Sequence, residues 1–498
     1  MKSEQSVKKA MVHVLGCKVN QAEAAAMVRV LEDRGYQVAS DIPDPDLIVV
    51  NTCCVTAKAE GKSRRAVGRL AQRFPDARIV VTGCLAAVNP DSLKDLANET
   101  VILGTYEKDR FEDFVTTGGE KDRYFEQSSR ALKKEVSLNP PVVRGARQDL
   151  PGNHGHTRIS DEVRENGPRE REALPDAPEA GERASKRWQF VDLGVSGNPA
   201  RARAFLKIQD GCNQRCSYCI VPAARGRSRS LDREKALANA AALSSAGYAE
   251  IVLTGIHLGY YGQDLEPPLR LEDLVEELLE TCPRVRFRMS SIEPQEITPG
   301  LIDLTARNKR LCSHFHIPLQ SGDDEILGRM KRPYTASAVR NLANAVIDKV
   351  PDVCIGFDVM VGFPGEDDRS FRRTVDLVRS SGAAYLHVFP FSPRPGTPAA
   401  DFRPLVPSAK ARERVAELRK LSRELRRNFY SRFIGRTLSA VLESESETTE
   451  GTVIARTDNY IPVRVCMSGP IPNDRAFRVT LESIGDDGVL GSPSPGIE

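Results

Sequence analysis

Three cysteines, Cys212, Cys216 and Cys219, form a C-x3-C-x2-C array directly after the strand-like run FLKI. Three thiolates this close together suit an iron–sulfur cluster better than a structural zinc ion, which normally takes four protein ligands. The alternatives are a zinc knuckle completed by a distant fourth ligand, or three ordinary core cysteines. A 4Fe-4S cluster held by three thiolates leaves one iron open to a further ligand. A second set is dispersed: Cys17 in LGCKVNQ, Cys53 in NTCC and Cys84 in TGCL, 36 and 31 positions apart. Each follows a strand-like run. If those strands are neighbours in a parallel sheet, their carboxyl ends share one edge, where open α/β folds bind ligands. Taken singly, each is as readily a small buried residue at a tight turn; three strand ends out of three favour a site. Cys54 adjoins Cys53 but points to the opposite side on extended backbone, so only one of the two can face a shared edge. Cys282, Cys312, Cys354 and Cys466 lie in apolar stretches or single turns and read as structural. Eleven cysteines, an odd number in a large chain, argue against a disulfide framework.

Tyr218 supplies an aromatic before the third cysteine, and the loop resembles the signature of the radical S-adenosylmethionine (SAM) superfamily. The resemblance implies that Cys212, Cys216 and Cys219 bind a 4Fe-4S cluster whose open iron chelates SAM. One-electron reduction would then cleave SAM to methionine and a 5′-deoxyadenosyl radical. Both triads together with HIPLQSGDDEILGRMKRPYT, VGFPGE and FSPRPGT make the chain similar to the methylthiotransferase family, over essentially all residues except 139–187. That likeness implies an auxiliary 4Fe-4S cluster on Cys17, Cys53 and Cys84, carrying the sulfur that is methylated and inserted.

Within the family, the GCKVNQ stretch of Gly16–Gln21, with FLKIQDGCNQ and PAARGRSRS, is similar to the branch acting on N6-threonylcarbamoyladenosine beside the tRNA anticodon. The expected reaction is methylthiolation of carbon 2 of that base. Other branches act on isopentenyladenosine in tRNA or on an aspartate of a ribosomal protein, and a non-enzymatic iron–sulfur RNA-binding protein is a remoter alternative. The partners implied are a tRNA anticodon stem-loop, an electron donor and a sulfur source, with the chain acting as a monomer.

These residues need elements to hold them. The chain has 498 residues, 40% of them hydrophobic, which suggests about three domains and excludes wholesale disorder or a collagen-like fibre. Residues 1–120 alternate strand-like runs (11–15, 47–51, 79–82, 101–103) with helical stretches, as a parallel α/β domain does. Residues 139–187 hold 18 charged residues and 11 Pro or Gly but only six Val, Ile or Leu. They read as a weakly ordered linker, and His154 and His156 as solvated loop residues. Between 198 and 432, six strand-like runs fit a partial (β/α)6 barrel. Thr254 and Gly255, Glu293, Gln320 and Asp358 fall at or near strand ends there. With Tyr218, all but Asp358 are the candidate SAM contacts, and Asp358 a SAM or substrate contact. His314 and His316 share a strand face and read as satisfied core or cleft histidines.

Residues 402–436 carry 11 Lys/Arg against three Glu, with Leu418, Leu421, Leu425 and Phe429 at helical spacing. Residues 433–498 read as a small β-barrel, a TRAM-like RNA-binding domain by resemblance, with Tyr460 and Phe477 as candidate base-stacking aromatics. Net charge is only +3, so nucleic-acid binding must be regional. VGFPGE lacks the lysine and spacing of a phosphate loop. No apolar run approaches the ~18–20 residues of a membrane span, and the amino terminus lacks an apolar signal core; the expectation is a cytoplasmic protein.

Overall fold

The computed structural model describes residues 7–96, 100–117, 190–195, 202–449, 452–466, 476–485 and 488–494. The segment 139–187, with its two histidines, lies outside them.

Strands β1 (Lys9–Val14), β2 (Gln37–Ala39), β3 (Leu47–Thr52), β4 (Arg78–Gly83) and β5 (Thr100–Leu103) form a parallel sheet in the order β2-β1-β3-β4-β5. Every residue of β3, LIVVNT, is buried, as the centre of a sheet covered on both faces requires. Strand order reverses between β1 and β3, so Cys17 and Cys53 flank the switch point at which such sheets bind ligands. The three-residue edge strand β2 is too short and too polar to stand out in the sequence.

The second domain opens with β6 (Arg203–Lys207). A small antiparallel hairpin, β7 (Gln209–Asp210) and β8 (Arg229–Ser230), brackets the cysteine loop. Strands β9 (Glu250–Thr254) and β10 (Arg286–Met289) join β6, while β11 (His314–Gln320), β12 (Cys354–Val361) and β13 (Tyr385–Pro390) form a second parallel sheet. Two isolated bridges, Phe287 to Leu311 and Ser291 to His316, join the sheets into a six-stranded partial barrel. On β10, Phe287 and Met289 enter the apolar core under the helices, whereas Arg286 and Arg288 turn the other way, onto Glu250. The barrel lumen is therefore polar.

The basic helix runs Ser408–Ser431, burying Leu418, Leu421 and Phe429 with Leu425 partly covered. Beyond it, β14 (Thr437–Thr449), β15 (Thr452–Thr457), β16 (Pro462–Cys466), β17 (Ala476–Gly485) and β18 (Gly488–Pro493) close into a small barrel. This barrel plugs the amino-terminal end of the six-stranded one. Arg286 donates to Arg456 O at 2.7 Å, and Arg288 to Thr457 O and Asp458 O at 2.9 and 3.0 Å. Tyr460 stacks on His314 at 4.1 Å between centroids, so this aromatic belongs to the interface and is not free to stack on a base. Phe477 is likewise partly buried against the small barrel's core.

Candidate active site

Two glycines bring the dispersed cysteines together. Gly16 has φ +107°, and a Cβ there would meet Cys53 Cβ at 2.8 Å and its Sγ at 3.1 Å. Gly83 has φ +95°, and a Cβ would strike Thr52 O at 2.4 Å. Only glycine permits both the backbone angle and the approach, so the cysteine after each glycine is drawn against the end of β3. Cys17 caps the helix Lys18–Asp33, and Cys84 opens the short helix Cys84–Val88. Asn20 knits this edge, donating to Leu15 O at 2.7 Å and Thr52 O at 2.9 Å. Ser63 holds the backbone of Cys53 in both directions, at 3.0 and 2.9 Å. Burial pushes the Cys17 thiol up and Cys53 up to about 11, and the sulfur charge of Cys84 adds to both. Cys54 turns into the domain's apolar core.

Arg225, a residue of the second domain that is fully buried, completes this edge. Its Nε donates to Cys84 Sγ at 3.4 Å, Nη2 to Asn20 Oδ1 at 2.6 Å, and Nη1 to Glu23 at 3.0 Å and Asp210 at 2.9 Å. Glu23 also pairs with Lys108 and with Lys207 (3.2 Å), and Asp210 with Arg229 at 3.2 Å. These cations hold both carboxyls well below the usual carboxylate range despite burial. Asp210 lies two residues before Cys212, so one guanidinium spans the two cysteine loops.

The second triad is braced separately. Cys212 Sγ lies 3.6 Å from His257 Nδ1 and accepts from Gln214 N at 3.4 Å. Arg332 Nη1 donates to Cys216 Sγ at 3.0 Å, and its other arm pairs with Glu293. Tyr334 takes Arg332 Nε at 2.8 Å, fixing the guanidinium. His257 also pairs with Glu296; burial works against its charge, but hydrogen bonds to Cys212 and Glu296 carry its pKa up to about 10. Burial pushes Cys219 up to about 12. Tyr218 is partly buried, edge-on to Phe363 at 6.4 Å.

The candidate SAM contacts fall out unevenly. Gln320 stands at a bulge with φ +63°, and its Oε1 is buried without a hydrogen-bond partner among the described residues. Ser290 Oγ and Glu296 Oε2 are orphaned in the same way. Buried polar atoms left unpaired mark where a polar ligand belongs. Glu293 is engaged by Arg332, and Thr254 is buried at the end of β9. A Cβ on Gly255 would meet Gln209 Oε1 at 2.9 Å, so the protein's own side chain fills that approach. Sequence reasoning passed over Arg225, His257, Glu296 and Arg332. Arg332 lies inside the MKRPYT motif and Arg225 inside PAARGRSRS, but nothing local marks either as a cysteine's partner.

Each set offers three thiols, a donor group suited to a 4Fe-4S cluster with one open iron, and the orphaned oxygens beside the second set fit a polar co-ligand. Of the other cysteines, Cys282, Cys312 and Cys354 are buried while Cys466 is exposed on β16, where sequence pattern had suggested a structural role; all eleven are free. Inside the lumen, His314 Nε2 and His316 Nδ1 share the Tyr385 hydroxyl at 2.8 and 2.9 Å, and His316 Nε2 meets Asp358 at 3.0 Å.

A partial βα barrel with a three-cysteine loop after its first strand defines a radical SAM protein, and residues 206–378 match the radical SAM superfamily. Residues 9–104 match a family described as "Uncharacterized protein family UPF0004". The chain is 34% identical to the threonylcarbamoyladenosine tRNA methylthiotransferase MtaB of Bacillus subtilis, over 91% of this chain and 89% of that protein. It is 30% identical to the MtaB of Thermotoga maritima over 99% and 98%. It is also 30% identical to a tRNA-2-methylthio-N(6)-dimethylallyladenosine synthase of Pelotomaculum thermopropionicum over 90% of each chain. The chain belongs to the tRNA methylthiotransferase family of radical SAM enzymes. Among solved structures, the radical SAM methyltransferase TsrM of Kitasatospora setae shares the fold, with a TM-score of 0.50 at 17% identity over 79% of this chain and 74% of that one. No helix among the described residues is long and apolar enough to cross a membrane.

Proposed function

We propose that this chain methylthiolates carbon 2 of N6-threonylcarbamoyladenosine beside the anticodon of tRNA. The observation that carries the reading is the pair of three-cysteine sites on strand ends of adjacent domains, spanned by Arg225. Cys212, Cys216 and Cys219 would hold one 4Fe-4S cluster with SAM, and Cys17, Cys53 and Cys84 the auxiliary one. Bound there, these groups supply the one-electron chemistry that an adenine carbon without an acidic proton requires.

The chain's own residues do the positioning. Arg332 and His257 fix the loop sulfurs of Cys216 and Cys212, and Gln320, Ser290 and Glu296 offer unused polar atoms to the methionine or ribose of SAM. The glycine approaches hold Cys17, Cys53 and Cys84 at one edge. The contacts at Arg225, and at Ala57 N with Ser392 Oγ (3.0 Å), tie the first domain to the second. The small barrel and the basic helix are the surfaces for the RNA stem. A reductant and a sulfur source must come from outside, and the natural setting is the cytoplasm, where tRNA is.

The test is anaerobic reconstitution followed by reaction with SAM, dithionite, sulfide and tRNA from a strain lacking the modification. Mass spectrometry of the nucleosides should show 2-methylthio-N6-threonylcarbamoyladenosine. Methylthiolation of isopentenyladenosine instead would transfer the assignment to the other branch. Failure to form any 5′-deoxyadenosine would sink the enzymatic reading altogether.

A further inference from the structure

The lumen wall formed by β11, β12 and β13 carries a cluster that neither cysteine set uses. His316, Asp358 and His387 stand on these three neighbouring parallel strands. Asp358 is paired in register with His387, and His316 with Gly356, which lies two residues before Asp358 and on the same face. Asp358 Oδ1 is 3.0 Å from His316 Nε2 and 3.5 Å from His387 Nδ1, and the three ligand atoms all lie within 4.8 Å of one another. His316 is buried, Asp358 half-buried and His387 exposed, so the cluster is closed on one side and open on the other.

Hydrogen bonding accounts for only half of this arrangement. The 3.0 Å contact suits a hydrogen bond, whereas 3.5 Å is too long for one. Both are close to the roughly 3.3 Å that separates ligand atoms placed tetrahedrally about 2.0 Å from a shared ion. His316 is also held as metal-bound imidazoles are, through an outer partner on its other ring nitrogen. That partner is the Tyr385 hydroxyl, 2.9 Å from His316 Nδ1 and 2.8 Å from His314 Nε2. Tyr385 reaches this place because residue 356 is glycine; a Cβ there would meet its Cζ at 2.1 Å. Charge points the same way. Glu250 takes Arg203, Arg286 and Arg288, but Asp358 has no lysine or arginine as an ion-pair partner among the described residues. A half-buried carboxylate left to two imidazoles is completed by a cation.

We propose that His316, Asp358 and His387 form a binding site for one divalent transition-metal ion of the zinc class, its remaining coordination open to the lumen. Two imidazoles and one carboxylate are ligands for zinc or iron(II) and poor ones for magnesium or calcium, which take oxygen sets. With three protein ligands, the open position is left to water or to an oxygen of whatever enters the lumen. Adjacent strands of one sheet supply all three side chains, so the set is carried by rigid elements. The site is separate from both cysteine triads and does not depend on which base is modified.

The full-length, cluster-loaded protein is dialysed against micromolar zinc in the presence of millimolar magnesium, and zinc and iron are counted per chain. Zinc is the probe because cluster iron does not obscure it. Wild type should take up one zinc with its iron unchanged. X-ray absorption at the zinc edge should show nitrogen and oxygen neighbours at about 2.0 Å, imidazole among them, and no sulfur at about 2.3 Å. That arm needs no variant, so it decides the matter even if a substitution disturbs folding. His387→Ala removes an exposed side chain, and Asp358→Asn keeps the shape of the one it replaces. Each should weaken zinc binding by about 100-fold or more, since even an outer partner of a metal ligand is worth about 10–100-fold. Sulfur neighbours, or iron lost as zinc enters, would put the ion on the cysteines and overturn the proposal. So would no uptake at micromolar zinc, displacement by magnesium, or uptake that either substitution leaves unchanged.

Discussion

Neighbouring residues of one type can have opposite fates, and Cys53 and Cys54 are the clearest pair. Cys53 lies against Gly16, and Cys54 is in the apolar core beside Met11, Ile48 and Val67. Alternation along extended backbone made that division legible in the sequence. Cys53→Ala should therefore lower iron from about eight per chain to about four, whereas Cys54→Ala should retain all of it and lose about 1 kcal/mol of stability. Iron and sulfide analysis with a denaturation curve separates the two; equal iron loss in both would shift the ligand by one position. Cys212→Ala should end SAM cleavage. Cys84→Ala should leave 5′-deoxyadenosine formation intact and stop sulfur insertion, which chromatography of the reaction products reads directly. The residues that brace the sulfurs were not legible. Arg225 meets Asn20 and Glu23 across more than 200 positions of chain, and no local pattern of charge announces a partner that far away.

At the scale of elements, legibility followed hydrophobic runs. Strands buried on both faces, such as LIVVNT, are continuous apolar stretches and stand out. The short edge strand β2 and the Gly- and Pro-containing β18 lack such a run, and only the completed sheet or barrel defines them. Gly83 is where an element's end becomes chemistry, because it lets β4 press its end against β3. Gly83→Ala should cost about 1–3 kcal/mol through backbone strain, plus the displacement of Thr52 O. The expected result is loss of the auxiliary iron with retained SAM cleavage, checked by iron content and 5′-deoxyadenosine yield in the same preparation. Arg225→Met tests the joint between the domains. It strands Glu23 and Asp210 with fewer counter-charges, and breaking a buried pair of this kind costs about 3–5 kcal/mol. Thermal unfolding should fall by several degrees, and protease should cut first within the first domain.

Between the two barrels of the described residues, one carboxylate does much of the joining. Glu250 opens β9 and receives Arg203, Arg286 and Arg288, and the last two continue into backbone carbonyls of the small barrel at Ser439, Arg456, Thr457 and Asp458. The small barrel is held to the lumen floor by guanidinium groups whose charge Glu250 compensates, by the Arg203–Glu443 pair and by Tyr460 stacked on His314. Arg288 also lies 5.2 Å from the centroid of Tyr460, the ring that covers His314. Arg288→Met keeps much of the volume but removes donors to Thr457 and Asp458 and the cation over that ring. Glu250 retains two guanidinium partners, so its charge stays compensated and the six-stranded barrel should survive. The expected outcome is therefore selective: in calorimetry the small barrel of the variant should melt at a lower temperature than in the wild type, ahead of the six-stranded barrel. Affinity for tRNA should fall while SAM cleavage without RNA is unchanged. Glu250→Gln makes the contrasting case, since it leaves three buried guanidinium groups without their shared anion and should destabilise both barrels together by about 3–5 kcal/mol. If instead Arg288→Met unfolds in one step at the wild-type temperature, the small barrel is held by its apolar contacts through Phe429 and Phe433, and the charged floor contributes lumen polarity alone.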